Sequence, residues 1–175
     1  MKIKNLLLCS LFAAVTAVLA QIVIPIGPVP ISLATFSVFC AGALLGSRRG
    51  AISQAIYVLL GAVGVPVFAM FKGGFAILVG PTGGYIFGYI LAAWVVGLIA
   101  ERAGSGFFPL ALACVAGFFA YMIPGTCWYM FVMGAGPLEA LLACVVPFLP
   151  GDALKIALAV VLTSRLRPVI ERRAG

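Results

Sequence analysis

The 175-residue chain has four carboxylates (Glu101, Glu139, Asp152 and Glu171) and no histidine. One carboxylate stands beside an amine inside an apolar run: Asp152 and Lys155, in Pro147-Phe-Leu-Pro-Gly-Asp-Ala-Leu-Lys155. Three residues apart on a helix, the two side chains share a face. At mid-membrane each charge costs about 2.5–3.5 kcal/mol on insertion scales, so both should turn into a bundle interior. The proline and glycine ahead of Asp152 put it near a helix N-terminus, where free N–H groups and the positive dipole end favour a carboxylate. From these residues alone, a capping ion pair and a ligand-binding pair are equally open.

A second group is Gly80-Pro-Thr-Gly-Gly-Tyr85. Thr82 offers a hydroxyl, Gly83 and Gly84 let a ligand approach the backbone, and Tyr85 brings a ring with a polar tip. Taken alone, the segment reads more simply as a helix start followed by an interfacial tyrosine. Lys72-Gly73-Gly74 opens a loop just before it. Ala13 and Ala17, four apart, would expose a flat ridge for a neighbouring helix, although ordinary packing within the chain explains them more simply.

Other chemistry is disfavoured by what the chain lacks. Without imidazole there is no usual general base or metal ligand, and the carboxylates are too scattered for paired acid–base work, so an enzyme is not expected. The five cysteines show no CxxC spacing and sit in apolar runs, where a thiol behaves as a small hydrophobe; neither a disulfide nor a metal or cofactor site is read from them. No GxxxxGK[ST] loop occurs, so energy from a nucleotide would have to come from a partner. The net charge of +7 is dispersed between apolar runs, without the basic, aromatic-interleaved patch of a nucleic-acid binder.

The elements that position these residues follow from hydropathy. Hydrophobic residues make up 65% of the chain and charged ones 9%, and mean hydropathy is +1.27. Uncharged runs at residues 5–47, 50–71, 73–100 and 103–138 each exceed the roughly 20 residues that span a bilayer, and continuous apolarity excludes the alternation of a barrel strand. Pro25, Gly27, Pro28 and Pro30 divide the first run. Six helices are expected, near residues 6–24, 33–45, 51–63, from the 81–84 segment to 100, 108–133 and 151–164. With both termini inside, Lys2, Lys4, Arg48, Arg49, Arg102, Arg165, Arg167, Arg172 and Arg173 lie on the cytoplasmic side and only Lys72 and Lys155 outside, which requires an even number of spans. A cleaved signal ending at Ala20 fits less well, because the apolar run continues to Ile24 and its removal would leave five helices. The expected fold is therefore an all-α integral membrane protein, a compact bundle of six transmembrane helices forming one domain over residues 1–175. The 21 glycines suit close helix packing in lipid.

Several segments together resemble the BioY family: Gly27-Pro-Val-Pro-Ile-Ser, Ala-Gly-Ala-Leu-Leu-Gly ending at Gly46, Tyr57-Val-Leu-Leu-Gly-Ala-Val-Gly-Val-Pro-Val-Phe68, Gly80-Pro-Thr-Gly-Gly-Tyr85, and Pro-Gly-Asp-Ala-Leu-Lys155. The likeness covers residues of about 6–165. It implies the biotin-specific S component of an energy-coupling-factor vitamin transporter in the cell membrane. Such a subunit captures biotin from outside and docks on a transmembrane coupling subunit driven by a pair of ATPases. It further implies that Asp152 and Lys155 line the biotin site, completed by Lys72, Gly73, Gly74, Thr82, Gly83, Gly84 and Tyr85. Ala13 and Ala17 would belong to the docking surface. Many relatives carry glutamine where this chain has Ala34, so any polar contact from that position is lost. The segment at residues 25–31 is expected to act as a lid. The alternative is a solitary carrier coupled to protons through Asp152 or Glu139, which commonly shows internal repeats not found here.

Overall fold

The computed structural model describes residues 3–25, 29–104 and 106–174, with side chains as far as Arg167. Lys2 and the side chains of Glu171, Arg172 and Arg173 therefore lie outside the described residues. The chain runs α1 (Ile3–Leu19), a hairpin of β1 (Val23–Ile24) and β2 (Ile31–Ser32), α2 (Ala34–Leu45), α3 (Ser47–Ala62), a 3-10 turn (Ala69–Phe71), α4 (Phe75–Val79), α5 (Gly83–Ala103), α6 (Phe107–Met133), α7 (Pro137–Cys144) and α8 (Leu149–Ala174).

Six main helices occur where the hydropathy places them, with two short helices, α4 and α7, added between them. The first helix stops five residues earlier than expected. Beyond Leu19 the chain peels into the hairpin, whose antiparallel register pairs Val23 with Ser32 and Ile24 with Ile31; valine and isoleucine suit a strand better than a helix end. Helix α3 begins at Ser47 rather than residue 51, taking in Arg48 and Arg49. The reason is long-range: the Glu101 carboxylate at the end of α5 accepts bonds from Ser47 N (2.9 Å) and Ser47 Oγ (2.8 Å), capping the α3 N-terminus. Helix α8 starts two residues earlier than expected and continues past Ser164 into the basic tail.

Helices α5 and α6 are each long and apolar enough to cross a membrane, and α7 with α8 up to Arg167 forms a third such unit bent by 52°. Helices α1 and α2 are apolar but shorter. At about 1.5 Å per residue, α2 extends only about 18 Å. It occupies the middle of the bundle, with ten of its twelve residues buried and α1, α3, α5 and α8 packed around it. The exterior carries exposed Leu7, Leu11, Leu59, Phe108, Phe119 and Phe131, a surface suited to lipid and not to water. The protein is an integral membrane protein.

Small residues set the helix spacing, since apolar side chains gain little by leaving lipid for one another. Gly97 of α5 faces the Gly46–Ser47 backbone so closely that a Cβ there would overlap it, and Gly42 of α2 lies against the Ala93 carbonyl and Val96. This crossing brings the α2–α3 corner and the end of α5 to one end of the bundle. Arg49 Nη1 donates to Asn5 Oδ1 at 3.3 Å, so the start of α1 joins them. Lys4, Arg48, Arg49 and Arg102 thus gather at one end, and the hairpin, the 3-10 turn and α4 close the other.

Gly97→Leu is predicted to cost about 1–3 kcal/mol through overpacking. Gly136→Ala, at an ordinary φ with open space around it, should stay within about 0.5 kcal/mol. Melting in detergent, followed by size-exclusion fluorescence, checks both; equal midpoints for the two variants would contradict the packing.

Candidate functional site

Helix α8 begins beneath the hairpin, and its first turn brings Asp152 inward. The Asp152 backbone N–H bonds the Phe148 carbonyl at 2.8 Å, and its carboxylate does not cap the helix. Oδ1 accepts from Lys155 Nζ at 2.8 Å and from Thr35 Oγ1 at 3.5 Å. Oδ2 accepts from the Tyr121 hydroxyl at 2.6 Å. The carboxylate is thus held by an ammonium one helical turn on, by α6 and by α2. Asp152 is 1% exposed and Lys155 5%. A buried pair of this kind is intolerant of losing one member, at a cost of about 3–5 kcal/mol.

The pair opens on a recess of about 20 Å³, lined also by Val29, Pro30, Ser32, Thr35, Tyr85, Tyr89, Tyr121 and Phe148. That is room for one small polar group. Val29, Pro30, Ser32, Tyr85 and Tyr89 also line a larger cavity of about 230 Å³, so the recess adjoins its wall. The larger cavity adds Tyr57, Phe68, Ala69, Lys72, Ile77 and Thr82. A relay of rings borders it: Phe68 meets Tyr57 edge-on at 5.6 Å, Tyr57 lies 6.5 Å from Tyr89, and Tyr89 meets Tyr121 edge-on at 6.0 Å. Apolar faces with phenol tips suit a compact ring system carrying polar atoms on its rim. Lys155 has three N–H donors and gives one to Asp152, leaving capacity for an acceptor in the recess.

Not all of the residues expected at the site reach it. Asp152, Lys155 and Tyr85 line the recess; Lys72, Thr82 and Tyr85 line the larger cavity, with Lys72 exposed. The Tyr85 hydroxyl is engaged with Thr126 Oγ1 at 3.0 Å. The four glycines are not brought to the site, since none of them lines either cavity. Gly83 packs on the Leu78 backbone, Gly84 on Trp128 and Gly73 on the Val65 carbonyl, while Gly74 N bonds the Gly61 carbonyl at 2.7 Å. At Gly73, Gly83 and Gly84 the missing side chain admits protein atoms, while Gly74 takes a positive φ of 100° with open space around it. Of the two alanines expected on a docking face, Ala13 is 1% exposed and belongs to the core cluster with Tyr57 and Val58, and Ala17 is partly accessible. Of the expected lid, Val29 and Pro30 line both cavities, and Ile26, Gly27 and Pro28 lie outside the described residues.

Tyr121, Thr35, Ser32, Tyr57 and Tyr89 were not anticipated at the site. The available signal for Tyr121 was a phenol deep in a long apolar helix, where its hydroxyl needs a partner; the complementary buried group was Asp152.

A lipid-facing helical bundle with an amphipathic cavity beside a buried ion pair defines an integral membrane protein with an internal chamber. Comparisons with known proteins place it more finely. The BioY family profile matches residues 1–172. The biotin transporter BioY of Thermotoga maritima is 42% identical over 170 residues, covering 97% of this chain and 99% of its own. The probable biotin transporter BioY of Pyrococcus horikoshii is 41% identical over 167 residues, covering 95% and 98%. A crystal structure of the S-component for biotin from an ECF-type ABC transporter superposes with a TM-score of 0.88 at 31% identity, covering 95% of this chain and 92% of that one. The chain belongs to the BioY family, a family of transporters and not of enzymes.

Tyr121→Phe removes the one hydrogen-bond partner of Asp152 Oδ2 among the described residues. A lost bond to a buried charge is expected to cost about 1.5–3 kcal/mol, read as a lower melting midpoint in detergent. A parental midpoint would contradict the engagement of this hydroxyl.

Proposed function

We propose that this chain is a biotin-binding S component. It would span the cell membrane six times, with α1, α2, α3, α5, α6 and α8 as the spans and both termini in the cytoplasm, and would take up biotin from outside. The observation that carries the reading is the Asp152–Lys155 pair, kept out of water yet lining a recess beside an aromatic cavity.

Biotin fits that chemistry. Its ureido ring has two N–H donors and a carbonyl, its thioether ring is apolar, and its tail ends in a carboxylate. Lys155 would donate to the ureido carbonyl and Asp152 accept from a ureido N–H, both charge-assisted. Tyr57, Phe68 and Tyr89 would flank the thioether ring, Thr82 would add a hydroxyl, and Lys72 would meet the tail. Orientation is supported by the gathering of Lys4, Arg48, Arg49 and Arg102 at the end away from the cavity, as the bias of basic residues toward the cytoplasm requires.

Energy would be supplied in trans, through a transmembrane coupling subunit and its ATPase pair. Ala17 remains a candidate for that docking surface. Ser10 and Ala14, exposed on α1 at helical spacing from it, would take the place given up by Ala13.

Binding of labelled biotin to the detergent-purified protein tests the reading. The parent is expected to bind biotin and neither riboflavin nor thiamine, and Asp152→Asn and Lys155→Ala should each weaken binding by at least about tenfold, the scale of one charge-assisted bond. Near-parental affinity in both variants would remove the pair from the site.

A further inference from the structure

Gln21, just beyond α1, lines neither cavity, yet its amide is used at both ends. Nε2 donates to the carbonyls of Ala17 (3.0 Å), Val67 (3.1 Å) and Phe68 (3.2 Å), and Oε1 accepts from Phe71 N (2.8 Å). Three of these four partners lie on the strap between α3 and α4, residues 64–74.

The strap is tightly wound. Phe68 and Lys72 exchange backbone bonds of 2.9 and 3.3 Å, closing a loop over Met70 and Phe71. Those two are the non-glycine residues with positive φ among the described residues, at 62° and 55°. Such conformations persist only where the surroundings hold them, and the Gln21 contacts at Val67, Phe68 and Phe71 bracket the pair. From this loop Phe68, Ala69 and Lys72 line the larger cavity. The Phe68 ring fills the space over Gly61, where a Cβ would overlap it, and packs edge-on against Tyr57. From Gln21 the chain also leads directly into β1, and the Ile22 carbonyl bonds Leu33 N at 3.1 Å next to β2. The strap is therefore held at Gln21, and the hairpin is tied at the next residue along the chain.

We propose that Gln21 is a positioning residue: its side-chain amide latches the strap to the end of α1, holds Phe68 and Lys72 at the cavity mouth, and slows the escape of a bound ligand. This rests on the reading of the cavity as the biotin site.

The test combines hydrogen exchange of the ligand-free, full-length protein in detergent with biotin binding kinetics, for the parent, Gln21→Leu and Gln21→Glu. In Gln21→Leu, exchange at residues 68–74 is expected to quicken by about tenfold while α5 and α6 keep parental rates, as for a local opening. Biotin dissociation should rise by about five- to tenfold with association within about twofold, a split that general loss of stability would not produce. Gln21→Glu keeps the acceptor for Phe71 N but sets a carboxylate oxygen against the three carbonyls, so it should loosen the strap at least as much as leucine; it carries the test if the leucine variant does not fold. Parental exchange in the strap, or faster exchange with unchanged dissociation, would overturn the latch. A parent that binds no biotin would remove the ligand reading, while the exchange measurement still decides whether Gln21 holds the strap.

Discussion

A carboxylate inside a lipid-embedded bundle is retained only if the protein supplies what water would have given it. Asp152 is supplied from three directions: an ammonium one turn along its own helix, a phenol from α6 and a hydroxyl from α2. These bonds also act as a construction constraint. They fix the rotation of α8 about its axis, set its depth against α2 and α6, and face the charged pair into a recess beside the aromatic cavity. A buried ion pair is weak evidence for stability in general, since an apolar replacement is often as stable. Its position beside open space gives it a purpose that packing alone does not.

The rest of the bundle makes that placement possible. Helix α2 is too short to be a lipid-exposed span of ordinary length, but it lies at the centre, where α1, α3, α5 and α8 shield it. Glycines at the α2–α5 crossing let those backbones come close, and α2 also packs on α8, where Thr35 reaches Asp152. At the far end the Glu101 cap on Ser47 ties α5 to the α2–α3 corner, so the basic end is braced while the cavity end is built from a hairpin, a strap and two short helices. The division suits a binding protein: rigid below, and closed above by segments held through a few directed bonds.

Much of this was legible in the sequence, and the parts that were not share a cause. Hydropathy and proline placement located the six main helices, because burial in lipid is read residue by residue. Asp152 and Lys155 stood out because two charges in an apolar run demand an explanation; Tyr85 and Thr82, singled out by their polar tips, and Lys72, by the family resemblance, line the larger cavity. Gly73, Gly83 and Gly84 pack on protein atoms instead of lining a cavity, because a missing side chain looks the same in sequence whether it admits a ligand or another part of the chain. Ala13 faces inward where docking was expected, a matter of helix rotation that alanine-rich sequence leaves undetermined. Tyr121, Thr35 and Gln21 act through partners 31, 117 and 46 to 50 residues away, distances that no local pattern encodes.

The most direct examination of the account is a structure of the chain determined with biotin bound. The account predicts the ureido ring in the larger cavity with its polar edge turned to the recess, its carbonyl or N–H groups within about 2.7–3.2 Å of Lys155 Nζ and an Asp152 oxygen, and the carboxylate tail directed toward Lys72. Biotin bound at a different place, or an Asp152–Lys155 pair with no ligand atom in reach, would contradict it.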